Sequence, residues 1–96
     1  MKIEILEIRF LDTGKPLKAF VNALVNDWVV RDFRIIQQDG QRAYVMPPQV
    51  SWRDTDSGAI KYKGILTIPI EEKQMIDIAI LSAYQREKER LDAHPR

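Results

Sequence analysis

The sequence predicts an α+β domain, with a small antiparallel sheet of four to five strands followed by one C-terminal α-helix. Three observations carry this. Apolar, β-branched and aromatic residues recur at every second position through the first half; turn-forming pairs separate those runs; and from Glu71 onward the period becomes helical.

The first strand spans residues 2 to 10, where Ile3 and Ile5 alternate and are followed out of phase by Leu6, Ile8 and Phe10. A bulge between Ile5 and Leu6, or burial on both faces, accounts for the break. Asp12-Thr13-Gly14-Lys15-Pro16 is a turn cluster, after which Leu17, Ala19, Val21, Ala23 and Val25 mark a second strand. Asn26-Asp27 makes a tight hairpin turn into a third strand, Trp28 to Ile36. Asp39-Gly40 is another hairpin-type turn, and Arg42 to Met46 a short fourth strand.

Pro47-Pro48 ends that strand, because proline donates nothing to a ladder and restricts the residue before it. Gln49 to Gly58 reads as a polar loop carrying Trp52, Arg53, Asp54 and Asp56, and Ile60 to Ile68 as a further extended segment kinked or bulged at Gly64. In the helix, Glu71 and Glu72 stand at the start, with Arg86, Lys88 and Arg90 near the end, an order that suits the helix dipole. Projected at about 100° per residue, Met75, Ile76, Ala79, Ile80 and Ala83 form the stripe expected to lie on the sheet. Ile78 and Leu81 project to the opposite side, either as scattered surface apolar residues or as a contact with a second subunit.

Ninety-six residues without cysteine make one domain, residues 1–91, with a polar C-terminal tail at 92–96, and leave no disulfide or thiolate metal site. Fifteen basic residues stand against 14 acidic ones; residues 1–70 hold ten basic and eight acidic side chains, and the remainder sums to −1. That balance excludes a strongly basic nucleic-acid tail and an acidic solvating chain alike. The start, Met1-Lys2-Ile3-Glu4, has no continuous apolar segment of the signal-peptide kind, and Met75 to Leu81 is too short and too interrupted to cross a membrane. A cytoplasmic location and no membrane partner are expected.

Catalytic equipment is sparse. The single histidine, His94, lies in the tail; Ser51, Ser57 and Ser82 have no nucleophile-elbow or serine–lysine spacing; and the four glycines are isolated, with no phosphate loop among them. Neither an enzyme nor a cofactor is expected. Asp54-Thr55-Asp56-Ser57-Gly58 starts like a calcium loop, but its twelfth position is Ile65 where a bidentate glutamate belongs, so a surface turn is expected instead.

The hairpin of the second and third strands offers a better lead. With Val25 opposite Trp28, one face collects Leu17, Ala19, Val21, Ala23, Val25, Trp28, Val30 and Ile36, and also Asp32 and Arg34. The other face sets Phe20 across from Phe33, with Asn22 opposite Arg31 and Lys18 opposite Ile35. Aromatic rings among cations serve sheets as platforms for unpaired bases and phosphates, and a cross-strand phenylalanine pair is also ordinary sheet packing. Further cations gather at Arg53, Lys61 and Lys63 beside the long loop, and at Arg86 and Arg90 beyond the apolar stripe of the helix, where Glu87 and Glu89 intervene.

Leu17-Lys18-Ala19-Phe20, the run Trp28 to Ile36, and Tyr44-Val45-Met46-Pro47 together resemble the SpoVG family, named for stage V sporulation protein G. Ile5-Leu6-Glu7-Ile8-Arg9, the Pro69-Ile70 step, Ala79 and Tyr84 resemble it too, so the similarity spans most of residues 3 to 84 in order. These are mainly core and turn residues. The resemblance implies a sheet with a C-terminal helix, a homodimer, and a bacterial regulator of sporulation and septation that binds DNA or RNA. Where the family has a serine and a basic pair after Met-Pro, this chain has Pro48, Gln49 and Val50; Arg31 and Ile68 stand where histidines are common. Arg53, Lys61 and Lys63 are the candidates to replace the missing pair. The residues expected to contact nucleic acid are therefore Arg31, Arg53, Lys61, Lys63, Arg86 and Arg90, and those expected to support self-association are Ile78 and Leu81. The alternative is a protein-interaction module that binds no nucleic acid, its contacts made by a strand edge and the Ile78/Leu81 patch.

Overall fold

A computed structural model describes residues 1–93; His94, expected in the polar tail, lies outside the described residues. Among the described residues six strands and one helix follow one another: β1 (Ile3–Phe10), β2 (Leu17–Val25), β3 (Trp28–Ile36), β4 (Tyr44–Met46), β5 (Gln49–Arg53), β6 (Ile60–Gly64) and α1 (Ile70–Ala93). The first four form an antiparallel sheet in the order β1-β2-β3-β4, and β5 and β6 form a separate two-stranded ribbon. The fold is α+β, as the periodicity predicts. The segment expected as a loop from Gln49 to Gly58 is instead strand up to Arg53, because Val50 and Trp52 alternate with polar neighbours and pair across the turn with the equally alternating Ile60-Lys61-Tyr62-Lys63.

One face of the four-stranded sheet packs on α1. Ala19, Val21 and Ala23 of β2, Phe33 and Ile35 of β3, Val45 of β4, and Ile76, Ile80 and Tyr84 of α1 are buried together. Each fully buried isoleucine or phenylalanine contributes roughly 1.5–3 kcal/mol by removal from water. The rings of Phe10 and Tyr84 stack with centroids 5.5 Å apart, and Lys73 Nζ donates to the Val45 carbonyl at 3.0 Å while pairing with Asp77. The helix is thereby tied to both edge strands. Its first turn is closed by the Pro69 carbonyl, which accepts from the Lys73 amide at 2.9 Å, with Glu71 and Glu72 facing the positive end of the dipole.

The buried stripe of α1 runs through Ile76, Ile80 and Tyr84, rotated from the expected one: Met75 is 47% exposed and Leu81 packs half-buried against the core. Lys73 and Asp77, rather than Met75, flank the buried side, with Lys73 reaching the Val45 carbonyl of β4. Of the two residues expected on the outer side, only Ile78 is there, 68% exposed. No described helix is long and apolar enough to cross a membrane.

Candidate nucleic-acid interface

The geometry of the outer sheet face depends on three irregularities. In β1 the register shifts between Ile5 and Glu7, which leaves Leu6 as the extra, exposed residue expected from the break in alternation. In β3, Arg31 and Asp32 together oppose the single Asn22, and Asp32 adopts φ 66°, a left-handed conformation that aspartate tolerates better than a branched residue. The Asp32 amide donates to Asn22 Oδ1 at 3.0 Å, so the polar side chain replaces a missing ladder bond. A compensating extra residue, Lys18, lies on β2.

The β3 bulge overturns the expected pairing. Val21 is paired with Phe33, and Phe20 with Arg34. Phe33 and Ile35 therefore turn into the core, both fully buried, while Asp32 and Arg34 leave the core face; Trp28, expected inside, is 76% exposed. A one-residue slip exchanges the faces of every residue beyond it. The Phe20–Phe33 platform does not exist. In its place a row crosses the outer face from Arg9 through Phe20 and Arg34 to Met46, one residue from each strand.

Phe20 lies between two cations, with the guanidinium carbons of Arg9 and Arg34 at 5.5 and 5.6 Å from its ring centroid. Arg9 is neutralised within the chain: it donates to Asp32, with Glu7 at 3.8 Å, and Glu7 in turn accepts from Asn22 at 3.2 Å. Arg34 is different. It belongs to no described ion pair, its Nε is shielded from solvent without a hydrogen-bond partner, and its guanidinium carbon stands 5.9 Å from the centroid of Tyr62 on the ribbon.

The ribbon has two faces set by its register. Val50 and Trp52 lie across from Lys63 and Lys61 on one, and Ser51 and Arg53 across from Tyr62 and Ile60 on the other. Its turn is organised by Asp54, which accepts from the Asp56 amide and Ser57 hydroxyl, each at 3.1 Å, and pairs with Lys61 at 2.9 Å. The lysine, helped by those donors, holds the Asp54 carboxyl below its ordinary value of 3.8. Gly58 sits at φ 72° with its amide donating to the Asp54 carbonyl, while Arg53 Nη1 donates to the Gly58 carbonyl at 2.9 Å. The segment that begins like a calcium loop is thus a closed hairpin turn whose carboxylate is already engaged.

Of the six cations expected to contact nucleic acid, the ribbon sets Lys61 and Lys63 on one face and Arg53 on the other, with Arg53 engaged by the turn and Lys61 by Asp54. Lys63 is exposed and enters no described ion pair. Arg31 stands exposed at the bulge. Arg86 and Arg90 form a separate group, lining a hollow of about 420 Å³ between α1 and β1 with Leu6 and Glu7. Arg90 is bound there by Glu87, which depresses the glutamate pKa and raises that of the arginine.

Arg9, Arg34 and Tyr62 escape sequence reading because only the bulge and the fold of the ribbon assemble them. A clue was present: two charged residues, Asp32 and Arg34, on a predicted core face indicate a phase change between Val30 and Phe33. Comparison with family models, curated proteins and solved structures finds no match for this chain.

Proposed function

We propose that the protein is a non-enzymatic nucleic-acid-binding regulator that acts as a homodimer, in the bacterial cytoplasmic setting of sporulation and septation control implied by its resemblance to SpoVG. The observation that carries the binding reading is the outward face of the ribbon, where Trp52, 46% exposed, stands directly across from Lys61 with Lys63 next on the same face. An open indole beside two ammonium groups suits a base and its neighbouring phosphates. Lys63 is the principal phosphate contact, Lys61 shares its charge with Asp54 and Arg31 and Arg86 are auxiliary; Arg53 and Arg90 already serve the turn and the helix.

The test is a titration with short DNA and RNA oligonucleotides at two salt concentrations, followed by the fluorescence of Trp52 in a Trp28→Phe background. Binding should weaken steeply with salt, and Lys63→Gln should reduce the slope of log K against log salt by about 0.7–0.9. Absence of binding at low salt, or binding indifferent to salt, overturns the reading.

A protein-interaction module is the second reading, favoured by exposed Trp28, Ile70 and Ile78 and by an apolar hollow of about 220 Å³ beside Trp28, lined by Met1, Leu66, Ile68 and Ile76. Sedimentation of Ile78→Asp separates the two possibilities for the helix: an unchanged oligomeric state means that Ile78 is not the self-association surface.

A further inference from the structure

We infer that the nucleic acid is single-stranded and that its second contact lies where the ribbon meets the sheet, at Tyr62 and Arg34; this rests on the nucleic-acid reading above. Tyr62 projects from the ribbon face opposite Trp52, since neighbouring strand positions alternate. Tyr62 is 58% exposed, and Arg34 lies over its ring. The ribbon therefore carries one open aromatic ring with a nearby cation on each face.

Arg34 marks an unfilled anion site by contrast with Arg9. Both guanidinium groups lie over the Phe20 ring, yet Arg9 has Asp32 as its counter-ion, whereas Arg34 has none among the described residues and has lost solvent from Nε. A ring quadrupole attracts the cation but accepts none of its in-plane N–H groups. A phosphate on the terminal amino groups supplies the missing charge in the planar geometry that arginine favours.

The open face of Tyr62 selects the strand. In a duplex the faces of the bases are covered by their neighbours and only their edges look into the grooves. A ring stacked on Tyr62 must therefore belong to an unpaired base, with its phosphate at Arg34. Trp52 on the outer face then takes a second base of the same strand.

Fluorescence anisotropy decides this, using labelled oligothymidylate of about 16 nucleotides, the upper end of the site sizes covered by single-strand-binding sheet folds, and a duplex of equal length. The single strand should bind at least about tenfold more tightly, and Tyr62→Ala should remove about that factor for the single strand alone while Tyr62→Trp retains it. Arg34→Gln should lower the single-strand salt slope by about 0.7, the loss of one phosphate contact. Tyr62 is exposed, so its variants report binding even if Arg34→Gln impairs folding. Duplex binding as tight as single-strand binding, or an unchanged affinity in Tyr62→Ala, overturns the inference and leaves the broader function standing; no binding to either removes both. Displacement of the oligonucleotide by millimolar inorganic phosphate assigns Arg34 to the free anion and overturns it too.

Discussion

The four-stranded sheet with its helix and the β5–β6 ribbon are both built from alternating strands, yet they pair their residues in opposite ways. In the sheet, apolar residues meet apolar residues: Ile8, Val21 and Phe33 form one row, and Phe10, Ala19, Ile35 and Val45 another. In the ribbon, apolar residues meet polar ones, with Trp52 across from Lys61, Val50 from Lys63 and Ile60 from Arg53. The sheet therefore has a face to bury, and the helix buries it. The ribbon has none: both faces stay mixed and no ribbon residue is fully buried. A lone two-stranded ribbon is marginal in water, and this one contacts the rest of the chain mainly through its connecting segments and Arg34. Alternation makes a strand, but what faces it across the ladder decides whether the strand serves stability or recognition.

The largest effect expected from this contrast is at Phe33. Phe33→Ala should destabilise the fold by about 3–5 kcal/mol in denaturant titration, because the ring is wholly enclosed. The corresponding change in the ribbon, Trp52→Ala, should leave stability within about 0.5 kcal/mol. Comparable losses at the two positions would break the division between the regions.

Asp32 comes next. Asp32→Val places a β-branched residue at φ 66° and removes the partner of Arg9, for an expected cost of about 1–3 kcal/mol. Asp32→Gly keeps the backbone conformation available and should cost less. If valine is tolerated as well as glycine, the bulge does not depend on the left-handed residue. On the ribbon, Trp52→Ala should weaken oligonucleotide binding about tenfold with the thermal midpoint unmoved, sharpening the assignment of recognition to that region.

The smallest effect is the pH response of the ribbon turn. Asp54 is held below its ordinary carboxyl value, so its contribution is fully present above that value and fades as the pH falls through the lower, folded one. The carboxyl-carbon chemical shift of Asp54 should titrate in that acidic window, while the amide shifts of Phe33 and Ile35 stay fixed. Asp54→Asn should abolish the response.

Much of the fold was legible in the residues. The ends of β2 and β3, the Asn26-Asp27 turn, the break at Leu6 and the helix from Glu71 onward, one residue after its observed start at Ile70, all follow from local pattern, because period and turn chemistry act within a few residues. The β5 strand was hidden by its polar content, although Val50 and Trp52 carried the alternation. The interface was legible only in part: Lys61 and Lys63 share a face because they stand two apart, but which residue lies across from them depends on how the ribbon turn closes.

The sequence by itself determined the class, the order of most elements and the near balance of charge, since composition and periodicity are local or additive properties. Only the tertiary structure decided which residues meet. The extra residue in β3 turned Phe33 inward and Arg34 outward, and Tyr62 joined Arg34 from a separate sheet. Register is a property of two strands together, so a one-residue slip, invisible in either strand alone, moved a phenylalanine into the core and set on the outer face a cation with no ion pair among the described residues.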